Sequence, residues 1–366
     1  MDFAFSNEQE MLGESVARLL AKTYDFDARQ ALVRSDAPWS AQVWAQFAEL
    51  GLLALPFPEE KGGLGGSTSD CIAFAQSLGR HLVLEPYVHS ILLAGGALAA
   101  SESAASGEWL ERLIAGEAIA AFAFEESHGT ATPDRIAMRA ETRGESVVLT
   151  GEKRLVIAGA QADVLVVAAR DAATGRVGLY LVEQSAAGLA VSPYITLDGR
   201  SAANLRFDAS PALAVLVEDA APVLEDILSR AIIVAAGEAV GAMGALVALT
   251  GEYATTRKQF GQPIAAFQAV AHRLADMKIA HAKALSSLLY TTALADSGAL
   301  GPRDIAVLKG QTGKLGRAIG EAAIQIHGGV GMTDELSVSH YHKRILTFDA
   351  QLGESAYHLR RIGAGV

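Results

Sequence analysis

Apolar residues recur at three- and four-residue spacings through the first third of the chain. Met11, Leu12, Val16, Leu19 and Leu20 form one stripe, and Val43, Phe47, Leu50 and Leu52 form another. That is the period of amphipathic helices. Pro58-Glu59-Glu60-Lys61-Gly62-Gly63-Leu64-Gly65-Gly66 interrupts them as a loop, and Ser67-Thr68-Ser69-Asp70 offers N-caps for a helix through Phe74 and Leu78. Near Ile119 the period changes. Residues 147–150, 164–167 and 177–182 are short β-branched runs separated by turn residues, the signature of antiparallel strands. Helical spacing returns near Pro222 and holds to about Arg361, with breaks at 298–302 and 328–331. The pattern predicts a mainly α chain with a β insert. An N-terminal helical domain (1–118) is followed by a small antiparallel β-sandwich or barrel (119–218) and a C-terminal four-helix bundle (219–366).

Composition narrows the class. Of 366 residues 51% are apolar and 19% charged, enough for a large core and against extensive disorder. A net charge of −11 disfavours nucleic-acid binding, which needs clustered cations. The first ten residues carry neither a basic n-region nor an apolar h-region, so no secretory signal is expected. The most apolar stretch, 231–250, contains Glu238 and three glycines and predicts a buried bundle helix in place of a membrane span. Cys71 stands alone, and His340, His342 and His358 lack metal-ligand spacing, so neither a disulfide nor a metal site is expected. These features predict a soluble, cytoplasmic protein.

Two segments carry candidate chemistry. A helix over 230–259 is expected to end at Arg257-Lys258-Gln259-Phe260-Gly261-Gln262-Pro263-Ile264, followed by Phe267-Gln268. An arginine at a helix end can simply offset the dipole, which leaves the aromatics and amides unexplained. The second segment, Gln325-Ile326-His327-Gly328-Gly329-Val330-Gly331-Met332, ends another helix in a glycine turn. Such a turn is often no more than a C-cap. A cation and open backbone N–H groups suit a diphosphate, while an aromatic with amides suits a flat ring. The spacings R-x-x-F-G-x-x-x-x-x-F-Q and Q-x-x-G-G-x-G together resemble the flavin-binding segments of the acyl-CoA dehydrogenase family. The opening Phe3-x-x-x-x-Glu8-Gln9 and the Pro58 loop extend the likeness across the chain.

The resemblance implies α,β-dehydrogenation of an acyl-CoA thioester with FAD, electron-transfer flavoprotein as acceptor, and a homo- or hetero-tetramer. It also implies that Arg257, Gln259, Phe260, Gln268, Gln325, Gly328 and Gly329 contact the FAD of a neighbouring subunit. His327 is expected to pack beside that turn. The catalytic pattern departs from the family. Where a glutamate base is usual, before Gly353, this chain has Leu352, and Glu354 is two residues off. The alternative base position reads Ser229-Arg230, which leaves Glu238 as the remaining acid in that helix. The family's T-E-P-x-x-G-S-D-like run reads Phe124-Glu125-Glu126-Ser127-His128-Gly129-Thr130. Its K-x-W-I-T-N-G-like run reads Lys153-Arg154-Leu155-Val156-Ile157-Ala158-Gly159, without the indole or the hydroxyl, although Ala162-Asp163 after it does match. Three readings follow: the non-catalytic subunit of a heteromeric acyl-CoA dehydrogenase of the steroid side-chain type, a complete enzyme with an unusual base, or a family relative with different flavin chemistry.

Overall fold

The computed structural model describes residues 5–126 and 132–365, so Phe3 and the Ser127 to Thr130 part of the 124–130 run lie outside the described residues. Helices come first: α1 (Asn7–Thr23), α2 (Phe26–Val33), α3 (Ala41–Glu49), α4 (Thr68–Arg80), a π-helical stretch Tyr87–Gly95, α5 (Gly96–Ala99) and α6 (Ala104–Ile114). Strands follow: β1 (Ala120–Ala123), β2 (Arg139–Arg143), β3 (Ser146–Ile157), β4 (Val164–Asp171), β5 (Val177–Glu183), β6 (Leu189–Ile195), β7 (Ser201–Pro211) and β8 (Ala214–Val217). The last third holds α7 (Ala221–Thr256), a hairpin of β9 (Lys258–Gln259) and β10 (Gln262–Pro263), α8 (Gln268–Asp296), α9 (Pro302–His327), α10 (Ser337–Ala350) and α11 (Ser355–Gly363). This is the mainly α order with a β insert that the periodicity predicts.

Two compact units interleave along the sequence. One takes in Met1–Gln30, Thr68–Val83 and Ile232–Val366, and the other Ala31–Ser67 and Leu84–Ala231. In the second unit the sheet runs β6-β7-β3-β2-β4-β5-β8, with β1 added beside β4. Most pairs are antiparallel as expected, but β1 and β2 both run parallel to β4. β4 and β5 are buried over nearly their whole length, which explains their unbroken apolar runs. Lys153, with 0% exposure, donates to Phe124 O (3.0 Å) and to the Glu126 carboxylate (2.7 Å). Glu126 in turn accepts the amides of Ala137 and Met138. Burial brings the Lys153 amine down to about 8, against the opposing pull of Glu126.

In the first unit, helix starts follow local chemistry. Ser6 and Gln9 close a capping box on α1, and Asp304 accepts the Gly301 amide at the start of α9, where Pro302 occupies the first turn. Only Ser67 of the Ser67–Asp70 run precedes α4, which begins at Thr68, and an acid from far along the chain meets its first amides: Asp296 accepts the N–H groups of Thr68 and Ser69. α9 packs against α8, α10 and α11.

α7 has a mean hydropathy of 2.1 over a spanning-length window, and 67% of that window is buried within the fold. Its glycines mark the crossings. A Cβ on Gly241 would lie 2.0 Å from Gln76 O, and one on Gly79 of α4 would lie 1.8 Å from Glu238 O. A Cβ on Gly244 would lie 3.1 Å from the His281 ring. Small residues let these backbones approach more closely than side chains would permit. Gly241→Ala is therefore expected to cost about 2–3 kcal/mol through forced separation of α4 and α7. Thermal denaturation checks this, and an unchanged melting temperature would contradict the close crossing.

Candidate functional site

The Arg257 segment differs from its expected form. α7 stops at Thr256, and Gln259 lies in the β9–β10 hairpin where a helix over 230–259 was predicted. The helical bond from Arg257 N to Tyr253 O (2.9 Å) is the last, after which Ile264 N bonds back to Arg257 O. Phe260 (φ 52°) and Gly261 (φ 81°) occupy the turn, the two positive φ values of a type I′ hairpin. Glycine accepts that conformation freely, whereas a phenylalanine there costs roughly 1 kcal/mol. Phe260 is nevertheless 92% exposed, in T-shaped contact with Phe267 with centroids 6.1 Å apart. A strained aromatic held out in solvent gains little from this chain's own packing beyond the Phe267 contact.

Gln268 is the first residue of α8. Gln325, on the last turn of α9, lines a groove of about 570 Å³ between α8 and α9 together with His272, Arg273, Asp276 and Glu321. Arg257, Gln259, Gln268 and Gln325 are all exposed, and their side chains have no polar partner among the described residues.

The glycine turn divides by role. Gly328 (φ 67°, ψ −147°) needs glycine for its backbone conformation. At Gly331 a Cβ would fall 2.8 Å from His327 Cβ, so packing requires glycine there. Gly329 has neither reason: its φ is not positive, and an added Cβ would meet nothing within 4 Å. The turn's N–H groups are not all open, since that of Gly328 bonds to Ile324 O. The C-terminal end of α9 also carries a partial negative charge, so an anion here needs a counter-charge from a cationic side chain. His327 packs beside the turn as expected. It is 6% exposed, and its ring stacks on Tyr253 at 4.3 Å and 22°, a contact worth about 0.5–1.5 kcal/mol. A free guanidinium, amide side chains, an exposed aromatic and a Cβ-free surface fit a dinucleotide.

The base region is built differently. Leu352 (φ 53°) and Gly353 (φ 84°) form the turn after α10, with Leu352 6% exposed. Buried Lys309 donates to Asp349 O (3.0 Å) and Gly353 O (2.7 Å) and lies over the Phe348 ring. His358 Nε2 meets Leu352 O at 3.0 Å. Asp349, the nearest buried acid in sequence, accepts from the Ser355 amide, the Ser355 hydroxyl and Arg317. Burial alone would raise its pKa, but the Ser355 hydrogen bonds, the Lys309 charge and Arg317 hold it below the usual carboxylate range. A carboxylate so stabilised is a poor match for removing a carbon-bound proton. Glu354 occupies the N-cap position of α11 at the surface, without a side-chain capping bond and within 4.0 Å of Arg360.

Glu238 is 4% exposed and lies 3.8 Å from Arg344, whose guanidinium also holds Leu82 O and Val83 O. That arrangement is a structural ion pair clasping the end of α4. In the second unit, Leu155 (φ 51°) sits on a bulge in β3, and Ile157 is buried. Asp163 accepts the Ile119 amide. Arg230 and Asp226 border an otherwise apolar pocket of about 210 Å³ lined by Phe57, Ile91, Leu92 and Ile227. Asp226, Lys309 and Tyr253 escape sequence reading, because no motif spacing singles them out, and His358, weighed there only as a metal ligand, proves to hold the Leu352 carbonyl. Among the described residues no cluster of three His, Cys, Asp or Glu could hold a metal ion.

Comparison with known proteins gives the family. Residues 6–117 match the acyl-CoA dehydrogenase N-terminal domain, and residues 223–366 match the C-terminal domain. The acyl-CoA dehydrogenase IpdE2 of Mycobacterium tuberculosis is 30% identical over 365 residues, covering 98% of this chain and 97% of the relative. The chain belongs to the acyl-CoA dehydrogenase family of oxidoreductases. Among solved structures, the ChsE4–ChsE5 complex from Mycobacterium tuberculosis is 26% identical with a TM-score of 0.90, covering 100% of this chain and 98% of that one. The Tcur3481–Tcur3483 steroid ACAD is also 26% identical, with a TM-score of 0.89 and coverage of 98% and 97%.

The turn at Leu352 should respond to acid. Burial pushes the His358 imidazole down to about 4, helped by the charges of Lys309 and Arg361 and opposed by the Leu352 carbonyl and Asp349. A histidine in the unfolded chain titrates near 6.5. Between about pH 6.5 and 4 the unfolded state therefore binds a proton that the native state refuses, and stability falls as pH falls. His358→Gln removes this share, so the stability gap between wild type and variant should narrow by up to about 3 kcal/mol from pH 7 to 4.5. Urea denaturation at both pH values tests it, and a constant gap would contradict it.

Proposed function

We propose that this chain is the base-lacking subunit of a heteromeric acyl-CoA dehydrogenase that desaturates a bulky acyl-CoA thioester. Arg257, Gln259, Phe260, Gln268, Gln325, Gly328 and Gly329 contact the diphosphate and adenosine end of a FAD whose isoalloxazine ring lies in the partner subunit. In this reading FAD, when bound, supplies the hydride acceptor, and the partner supplies the base. Arg257 neutralises the diphosphate, the Gly329 backbone closes against it, and Phe260 gains in the assembly apolar contact beyond that with Phe267. Electron-transfer flavoprotein takes up the electrons, and the assembly is a cytoplasmic heterotetramer.

The observation that carries this reading is a contrast. The Arg257, Gln259, Gln268 and Gln325 side chains have no polar partner among the described residues, while the base position is filled by buried Leu352 in a turn tied by Lys309 and His358. Two similar solved structures name two proteins each, and one of them is described as a steroid ACAD, which supports both the heteromer and the substrate class. Purified alone, the chain should be colourless and inactive on acyl-CoA. Co-expressed with a family member encoded by a neighbouring gene, it should yield a yellow, active complex. A full flavin spectrum and acyl-CoA oxidation by the chain alone would overturn the subunit reading.

A further inference from the structure

We infer that the Tyr253–His327 stack is a positioning element that fixes the Arg257 hairpin against the glycine turn, so that both grip one dinucleotide. The inference rests on the reading of these two segments as FAD contacts.

The hairpin has little of its own to hold it. Its strands are two residues each, its turn residue Phe260 is strained, and its polar side chains are exposed. Its root is Tyr253, whose carbonyl accepts both the Arg257 amide (2.9 Å) and the Thr256 hydroxyl (3.2 Å). The Tyr253 ring lies face to face with the imidazole of His327, the residue immediately before Gly328. That imidazole cannot turn freely. Its Nδ1 sits 2.9 Å from Ala323 O, a contact that places the proton on Nδ1. On its other side Gly331 folds back so tightly that a Cβ would fall 2.8 Å from His327 Cβ.

One ring thus fixes the start of the hairpin, and the other fixes both ends of the glycine turn. A cation and a backbone surface meant for one diphosphate must each be held to within about half an ångström of their productive positions. The stack supplies that registration across two helix ends distant in sequence. It explains why an aromatic stands at 253 and a ring at 327, although neither needs to touch the cofactor.

The test uses the flavin-containing assembly in which this chain purifies, stripped of FAD and titrated with FAD by flavin fluorescence. Tyr253→Leu should weaken FAD binding by about three- to tenfold, while Tyr253→Phe, which keeps the stack, should bind as wild type. In the Arg257→Ala background the Tyr253→Leu loss should largely vanish, because the ring acts through the placement of Arg257. Equal losses in both backgrounds would mean ordinary packing and would overturn the inference. So would unchanged affinity in Tyr253→Leu while Arg257→Ala weakens binding. If Arg257→Ala itself leaves FAD affinity unchanged, the underlying dinucleotide reading fails. His327→Leu gives the same readings from the other side of the stack should Tyr253→Leu not fold.

Discussion

α7 is too apolar to be left in water, and the need to bury it organises the helical unit of the chain. Its glycines let α4 approach to backbone contact, and that approach sets Glu238 beside Arg344 and both against the end of α4. A buried charge pair of this kind adds little net stability, but losing one partner would strand the other. Glu238 is therefore committed to the fold. At its far end the same helix stops at Thr256, where the apolar pattern gives out, and the hairpin begins at once. The position of the candidate dinucleotide surface is thus a consequence of where a core helix ends.

The chain keeps two kinds of polar group. Around the turn after α10 the buried polar groups have work inside the fold: Lys309 ties two carbonyls, Asp349 is held by Ser355 and Arg317, and His358 holds Leu352 O. In the hairpin and glycine turn the opposite holds, and side chains that could bind are exposed to solvent. Burying polar groups without partners is costly, whereas leaving Arg257 solvated costs little until a ligand arrives. This division separates the structural half of the molecule from the half that faces outward.

Much of the fold was legible in the sequence because helical and strand periods are written in where apolar residues fall. Val16 and Leu20, Val43 and Phe47, and the runs in β4 and β5 are all buried as their spacing implies. The hairpin was misread as helix because Lys258 and Gln259 are good helix formers, and the positive φ at Phe260 belongs to a two-residue turn whose first position carries no turn-forming residue to announce it. The parallel pairing of β1 and β2 with β4 was likewise hidden, since strand period carries no direction. In the site, motif spacing singled out Arg257, Gln325 and the glycines. It could not single out Tyr253 or Lys309, whose roles are contacts across long sequence separations.

The central claim is that this chain supplies only the dinucleotide side of a shared flavin site. The most direct measurement is the flavin-to-chain ratio of the co-purified assembly, from flavin absorbance and protein mass. A shared site with one working half predicts about two flavins per tetramer. Four per tetramer, with this chain at half the subunits, would show that it builds complete sites and would contradict the account.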